Sequence, residues 1–120
     1  MIKLLIAGSR DILDYNLIEN NIKNPENIKC IISGCARGVD TLAIEYAKKH
    51  DILCVKCPAN WDLYGKSAGY RRNKYMVSIC THALIIWDGK SKGTKHTIDL
   101  CKENNIPYKL IQRKEIKKYA

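Results

Sequence analysis

Five short apolar runs alternating with stretches of helical spacing leave this chain few ways to fold. Residues 2–7, 28–32, 52–57, 83–87 and 107–111 are apolar at most positions instead of at every second one. A strand that is apolar on both sides must be covered on both sides, and strands separated by helices pair in parallel. The expected fold class is therefore α/β, a Rossmann-like three-layer sandwich around a five-stranded parallel sheet. Crossover rules leave few topologies, and the order 3-2-1-4-5, with the first strand central, is the expected one.

The intervening helices are placed by caps and periodicity. The first is expected at residues 15–23, with Asp14 as N-cap, Leu13 and Ile18 as a hydrophobic staple, and Pro25 marking its end. Val39, Leu42, Ala43, Tyr46 and Ala47 trace one face of the second, which closes at His50 and Asp51. Residues 58–69 are the least regular segment, and a third helix opens near Ala68 with Tyr75, Met76, Ile79 and Cys80 as its expected inner face. The last helix is expected at 94–104 with Thr94 as N-cap.

Three glycine-centred loops follow strands and precede helices: Gly8, Ser9 and Arg10; Ser33, Gly34, Cys35, Ala36, Arg37, Gly38, Val39 and Asp40; and Trp87, Asp88, Gly89, Lys90, Ser91, Lys92, Gly93 and Thr94. In the expected sheet order all three meet at the carboxyl edge, where exposed backbone amides and helix N-termini receive anions. This points to a small phosphate or nucleotide binder. Ser9 offers a hydroxyl, and Arg10 a planar fork matched to phosphate. Asp40 either complements its helix dipole or accepts hydrogen bonds from ribose hydroxyls. The third loop lacks the glycine spacing of a Walker motif, yet Gly93 and Thr94 still supply a helix N-terminus for phosphate, with Lys92 and Lys95 nearby. Trp61, Tyr64 and Trp87 are the large aromatics near this edge, available for packing under the loops or for stacking on a ring. Arg71, Arg72 and Asn73 stand at the start of the third helix, where a cation reaches the crevice.

Composition bounds the rest. At 120 residues, 46% hydrophobic and 28% charged, the chain suits one domain over residues 1–112, with a basic tail at 113–120 in which Arg113, Lys114, Lys117 and Lys118 face only Glu115. The formal charge of +9 is compatible with a solvated surface, with anionic small ligands and with nucleic acid. No run approaches the roughly 18 apolar residues of a membrane span. The N-terminal run is too short for a secretory leader, so a cytoplasmic protein without a membrane partner is expected. The six cysteines fall mostly within apolar runs and read as reduced core thiols. Cys54 and Cys57 share a strand on opposite faces, and neither a metal nor a cofactor is expected.

Five ordered motifs carry a resemblance that covers residues 2–111. They comprise Ile6, Ala7, Gly8, Ser9, Arg10; Ser33, Gly34, Ala36, Gly38, Val39, Asp40; Pro58, Ala59, Trp61, Tyr64, Gly65, Lys66, Ala68, Gly69; Arg72, Asn73, Met76; and Trp87, Asp88, Gly89, Ser91, Gly93, Thr94, Lys95, Thr97. Together they resemble the YspA-like branch of the SLOG superfamily, named for Smf/DprA and Lonely guy proteins. The resemblance implies a Rossmann-like domain that binds a nucleotide-derived small molecule, often as a homo-oligomer, here a dimer or tetramer. It implies ligand-binding roles for Gly8, Ser9, Arg10, Ser33, Gly34, Ala36, Gly38, Asp40, Trp61, Arg72, Asn73, Trp87, Asp88, Gly89, Ser91, Gly93 and Thr94.

Lonely guy enzymes are similar but pair an arginine with a glutamate to cleave a base from a ribose monophosphate. Arg72 matches the arginine, whereas Thr97 stands where the glutamate would be, and a hydroxyl cannot perform a carboxylate's part. Three functions are expected to compete. One is a sensor or sequestering module for a nucleoside phosphate or an ADP-ribose-like signal. Another is an N-glycosidic hydrolase with Arg72, Asp40 and Asp88 as catalytic candidates. The third is a single-stranded nucleic-acid binder.

Overall fold

The computed structural model describes residues 1–113, so all of the expected basic tail except Arg113 lies outside the described residues. Five strands, β1 (Ile2–Gly8), β2 (Ile28–Ser33), β3 (Leu53–Lys56), β4 (His82–Trp87) and β5 (Tyr108–Gln112), form one parallel sheet in the order β3-β2-β1-β4-β5. This is the α/β arrangement expected from the apolar runs.

The central strand shows why both faces had to be apolar. Leu4 and Ile6 enter one buried cluster, with Ile31, Leu84 and Ile86 from the neighbouring strands. Leu5 and Ala7 enter the other, with Ile32, Ala83 and Ile85. The register pairs Leu5 with Ile32 on one side and Ile6 with Leu84 on the other, so each layer is continuous across three strands. Each large side chain of this kind contributes about 1.5–3 kcal/mol on burial, which makes these three strands the principal source of stability. Cys54 packs against the first cluster and Cys57 belongs to the second, as the strand period requires.

Helices α1 (Asn16–Glu19) and α2 (Val39–Lys49) cover the first face, inserting Leu17, Ile18, Val39, Ala43, Tyr46 and Ala47. The short α3 (Trp61–Tyr64) leads through a 3-10 turn at Gly65–Ser67 into α4 (Ala68–Ile79). That helix, with α5 (Lys92–Glu103), covers the second face through Met76, Val77, Ile98, Leu100 and Cys101. Among the described residues no helix is long and apolar enough to cross a membrane.

Several local expectations are corrected. The first helix stops at Glu19 instead of running to Lys23, because the Asn21 side-chain amide donates to the Leu17 carbonyl (2.6 Å), the acceptor a longer helix would use for the Asn21 backbone. Tyr15, not Asp14, holds the N-cap position, although Asp14 still accepts from the Asn16 amide (3.1 Å). No staple forms: Ile18 is buried but Leu13 is 73% exposed, and Ile12 inserts in its place. On α4 Tyr75 faces outward, while Asn73, Met76 and Val77 face in. Helix α5 begins two residues before the expected Thr94, which puts Ser91 at the N-cap position and Thr94 within the first turn.

Candidate functional site

The strand order reverses between β1 and β4, and at the carboxyl edge there lies a crevice of about 300 Å³. It is lined by Ala7, Gly8, Ser9, Arg10 and Asp11 from the first loop, Arg37 and Asp40 from the second, Arg72 and Asn73 from α4, and Ser91, Lys92, Gly93, Thr94 and Thr97 from the third loop and α5. Four cationic side chains, Arg10, Arg37, Arg72 and Lys92, face two carboxylates, Asp11 and Asp40. The field in the crevice therefore favours an anion.

Backbone geometry assembles this edge. Gly38 has φ +77°, and a Cβ there would meet the carbonyls of Ser9 and Arg10, so glycine is required where the second loop passes beneath the first. The Ser9 carbonyl accepts from the Val39 amide (3.3 Å), joining the first loop to the start of α2.

Ser9 itself is almost wholly buried. Its Oγ accepts from the Asp88 amide (2.9 Å) and lies 2.9 Å from Ser91 Oγ, so the hydroxyl ties the first loop to the third. Asp88 works in the same cluster: Oδ1 accepts from the Lys90 and Ser91 amides (both 2.8 Å) and lies 3.0 Å from Ser91 Oγ. Burial opposes its charge, but the Ser91 and Lys90 amides and the Ser91 and Ser9 hydroxyls outweigh that effect and hold its pKa below the ordinary value. Since Ser91's side chain is committed to this cluster, it does not cap α5. The first-turn amides of Lys92, Gly93 and Thr94 have no protein acceptor among the described residues, the condition under which a helix N-terminus receives an anion.

Across the crevice, Asp40 and Arg72 flank Gly34. A Cβ on Gly34 would stand 2.7 Å from Arg72 Nη1 and 2.8 Å from Asp40 Oδ2. The Arg72 fork donates to the Gly34 carbonyl and, through Nε, to Asn73 Oδ1 (2.9 Å), leaving the rest of its five donors for a ligand or solvent. Asn73 is buried and donates to the Gly93 carbonyl (3.3 Å), which links α4 to the start of α5. Asp40 is 6% exposed, and burial lifts its pKa to about 6 despite the Ala36 amide (3.2 Å to Oδ2), Arg72, the Gly8 amide and Arg10. Ser33 Oγ donates to the Asp40 carbonyl (2.8 Å), anchoring the first turn of α2 from below. Thr97, where Lonely guy enzymes are expected to carry a glutamate, donates its hydroxyl to the Gly93 carbonyl of its own helix (3.3 Å).

Of the residues singled out from sequence, the structure brings Gly8, Ser9, Arg10, Asp40, Arg72, Asn73, Ser91, Gly93 and Thr94 to one crevice. Ser33, Gly34, Ala36, Gly38, Asp88 and Gly89 lie behind or beside it as scaffolding and do not line it. Trp87 and Trp61 also lie outside. The Trp87 indole donates to the Ser91 carbonyl (3.0 Å) and packs on the second core cluster. Trp61 is half-exposed at α3, against Gly69 of α4. Ala7, Asp11, Arg37, Lys92 and Thr97 line the crevice without having been proposed for it. Arg37 and Asp11 carried a readable signal, since both are charged residues within three positions of a loop glycine. Lys92, expected only near the phosphate, lines the crevice itself.

The chain matches the YAcAr family (YspA, cpYpsA-related SLOG family) over residues 2–64. That stretch contains the first two loops and ends with α3. No curated protein matches the chain.

Proposed function

Because the chain belongs to the YspA, cpYpsA-related SLOG family, whose domains generally bind nucleotide-derived ligands, we propose that the crevice between β1 and β4 holds a phosphorylated, nucleotide-derived molecule as a sensing or sequestering module. The observation that carries this reading is the meeting of the unpaired first-turn amides of α5 with Arg10, Arg37, Arg72 and Lys92 at one opening. The ligand phosphate sits on the amides of Lys92, Gly93 and Thr94, with the Thr94 hydroxyl beside it. Arg10 and Lys92 close over the phosphate, and the Arg10 fork donates two hydrogen bonds at a time. Asp40 accepts from ribose hydroxyls, a role suited to a buried acceptor that also faces Arg72. Ser9 and Asp88 serve this site by fixing the third loop instead of touching the ligand. The ligand-binding unit is residues 1–112.

One observation favours a second reading, N-glycosidic hydrolysis: Asp40 is a buried carboxyl lining the crevice, titrates near pH 6, and stands beside Arg72. In that reading Asp40 stabilises a developing ribosyl cation while Arg72 holds the phosphate or leaving group. Against it, Thr97 puts a hydroxyl bound to backbone where the related enzymes use a carboxylate.

Incubation with AMP, NAD and ADP-ribose followed by denaturation and chromatography separates the two. Intact ligand recovered from the protein supports sequestration, and free base in the supernatant supports hydrolysis. If calorimetry detects no binding to any of the three, the proposed crevice function is wrong.

A further inference from the structure

The crevice can hold phosphate and sugar but offers a base nothing to stack on. Among the described residues none that lines it is aromatic, and the largest purely apolar lining side chain is the methyl of Ala7. A second cleft of about 240 Å³ adjoins it, lined by Pro58, Asn60, Tyr64, Ala68, Arg71 and Arg72. Arg72 lines both, so one residue borders the two cavities.

This second cleft has what the crevice lacks. Tyr64 is 44% exposed, and the Arg71 guanidinium lies over it, 4.5 Å from the ring centroid. Arg71 is held there by Ser67, whose hydroxyl accepts from its Nε (3.1 Å). Asn60 Oδ1 accepts from the Leu63 amide (3.0 Å), which fixes the carboxamide and leaves its two N–H donors for the polar edge of a ring. Pro58 adds a rigid apolar surface. A nucleobase is flat and apolar on its faces and polar at its edge, and stacking on an aromatic side chain contributes about 1–3 kcal/mol per base. Of the large aromatics at this end of the sheet, Trp87 is spent on the third loop, Tyr70 packs edge-on against His96 (ring centroids 4.5 Å apart), and neither Tyr70 nor Trp61 lines either cavity, which leaves Tyr64.

We infer that the cleft at Pro58, Asn60, Tyr64 and Arg71 is the base subsite for the ligand whose phosphate and ribose occupy the crevice, so that the ligand class is a base-bearing nucleotide and not a bare sugar phosphate. This rests on the crevice reading above. The base lies against Tyr64 and Arg71, the ribose passes Arg72, and the phosphate reaches the first turn of α5.

The test measures affinities for AMP, GMP, CMP, UMP and ribose 5-phosphate by calorimetry on the wild type, Tyr64→Ala, Tyr64→Phe and Arg10→Ala. At least one nucleotide should bind more tightly than ribose 5-phosphate. Tyr64→Ala should weaken that nucleotide about tenfold or more while moving ribose 5-phosphate less than about twofold, and Tyr64→Phe should restore it. Arg10→Ala should weaken both. A Tyr64→Ala protein that keeps its nucleotide affinity, or loses both ligands equally, overturns the base subsite alone. A wild type that binds none of these probes overturns the crevice reading and the subsite with it.

Discussion

Replacing Asp40 with asparagine should change how stability depends on pH, in a direction set by burial. In the fold its carboxyl titrates near pH 6, against an ordinary value of 3.8, because the cost of burying the charge exceeds what the Ala36 and Gly8 amides, Arg72 and Arg10 return. The folded state therefore binds a proton more tightly than the unfolded chain. Between these two values the folded state carries more protons, and the stability contributed by Asp40 falls as pH rises. It is fully present below about pH 3.8 and lost above about pH 6. The difference between the two values, at about 1.36 kcal/mol per unit, amounts to about 3 kcal/mol. The carboxamide of the variant cannot ionise. Urea unfolding of the wild type and Asp40→Asn from pH 4 to pH 8 isolates this contribution, since all other titrating groups are common to both. The wild type should lose about 2.5 kcal/mol relative to the variant across that range, with the change centred between pH 4 and 6. Parallel curves, or a wild type that gains on the variant as pH rises, would refute the argument that burial dominates at Asp40.

Other substitutions address the scaffold and the opening separately. Ser9→Ala removes the buried hydroxyl between the first and third loops and should cost about 1–3 kcal/mol in denaturant unfolding, because the Asp88 amide loses its acceptor. Arg10→Ala should leave the melting temperature nearly unchanged while weakening binding of nucleoside phosphates about tenfold or more, an expectation checked by calorimetry and scanning fluorimetry on the same preparation. Gly34→Val pushes against Arg72 Nη1 and Asp40 Oδ2, both ends of side chains, so the protein should still unfold cooperatively while ligand binding is lost. Retained binding in Gly34→Val would mean that the placement of Asp40 and Arg72 on either side of Gly34 is dispensable.

The sheet was legible in the sequence because the information is redundant. Leu4, Leu5, Ile6 and Ala7 are apolar in succession, and only a strand covered on both faces buries all four. The crevice followed from the sheet order, since that order brings the loops after β1, β2 and β4 to one edge. Side-chain commitments were less readable. Ser9 and Thr94 both carry hydroxyls beside loop glycines, but Ser9 is consumed by Asp88 and Ser91 from a loop nearly eighty positions away, a contact no local pattern encodes. The overlong first helix has a local cause: Asn21 satisfies a backbone carbonyl with its own side-chain amide, and the periodicity of Leu17 and Ile18 does not register that competition. Tyr75 was assigned inward by its apolar character, while the buried face of α4 includes the polar Asn73, whose amide bridges to α5.

Amide NMR during titration with AMP probes the anion site most directly. The backbone N–H signals of Lys92, Gly93 and Thr94 should move downfield together with those of Gly8 and Arg10, saturating with a single affinity. If these resonances stay fixed while AMP binds, or if the shifts gather at the opposite end of the sheet near Pro25 and Asp51, the phosphate is not held at the start of α5 and the account fails.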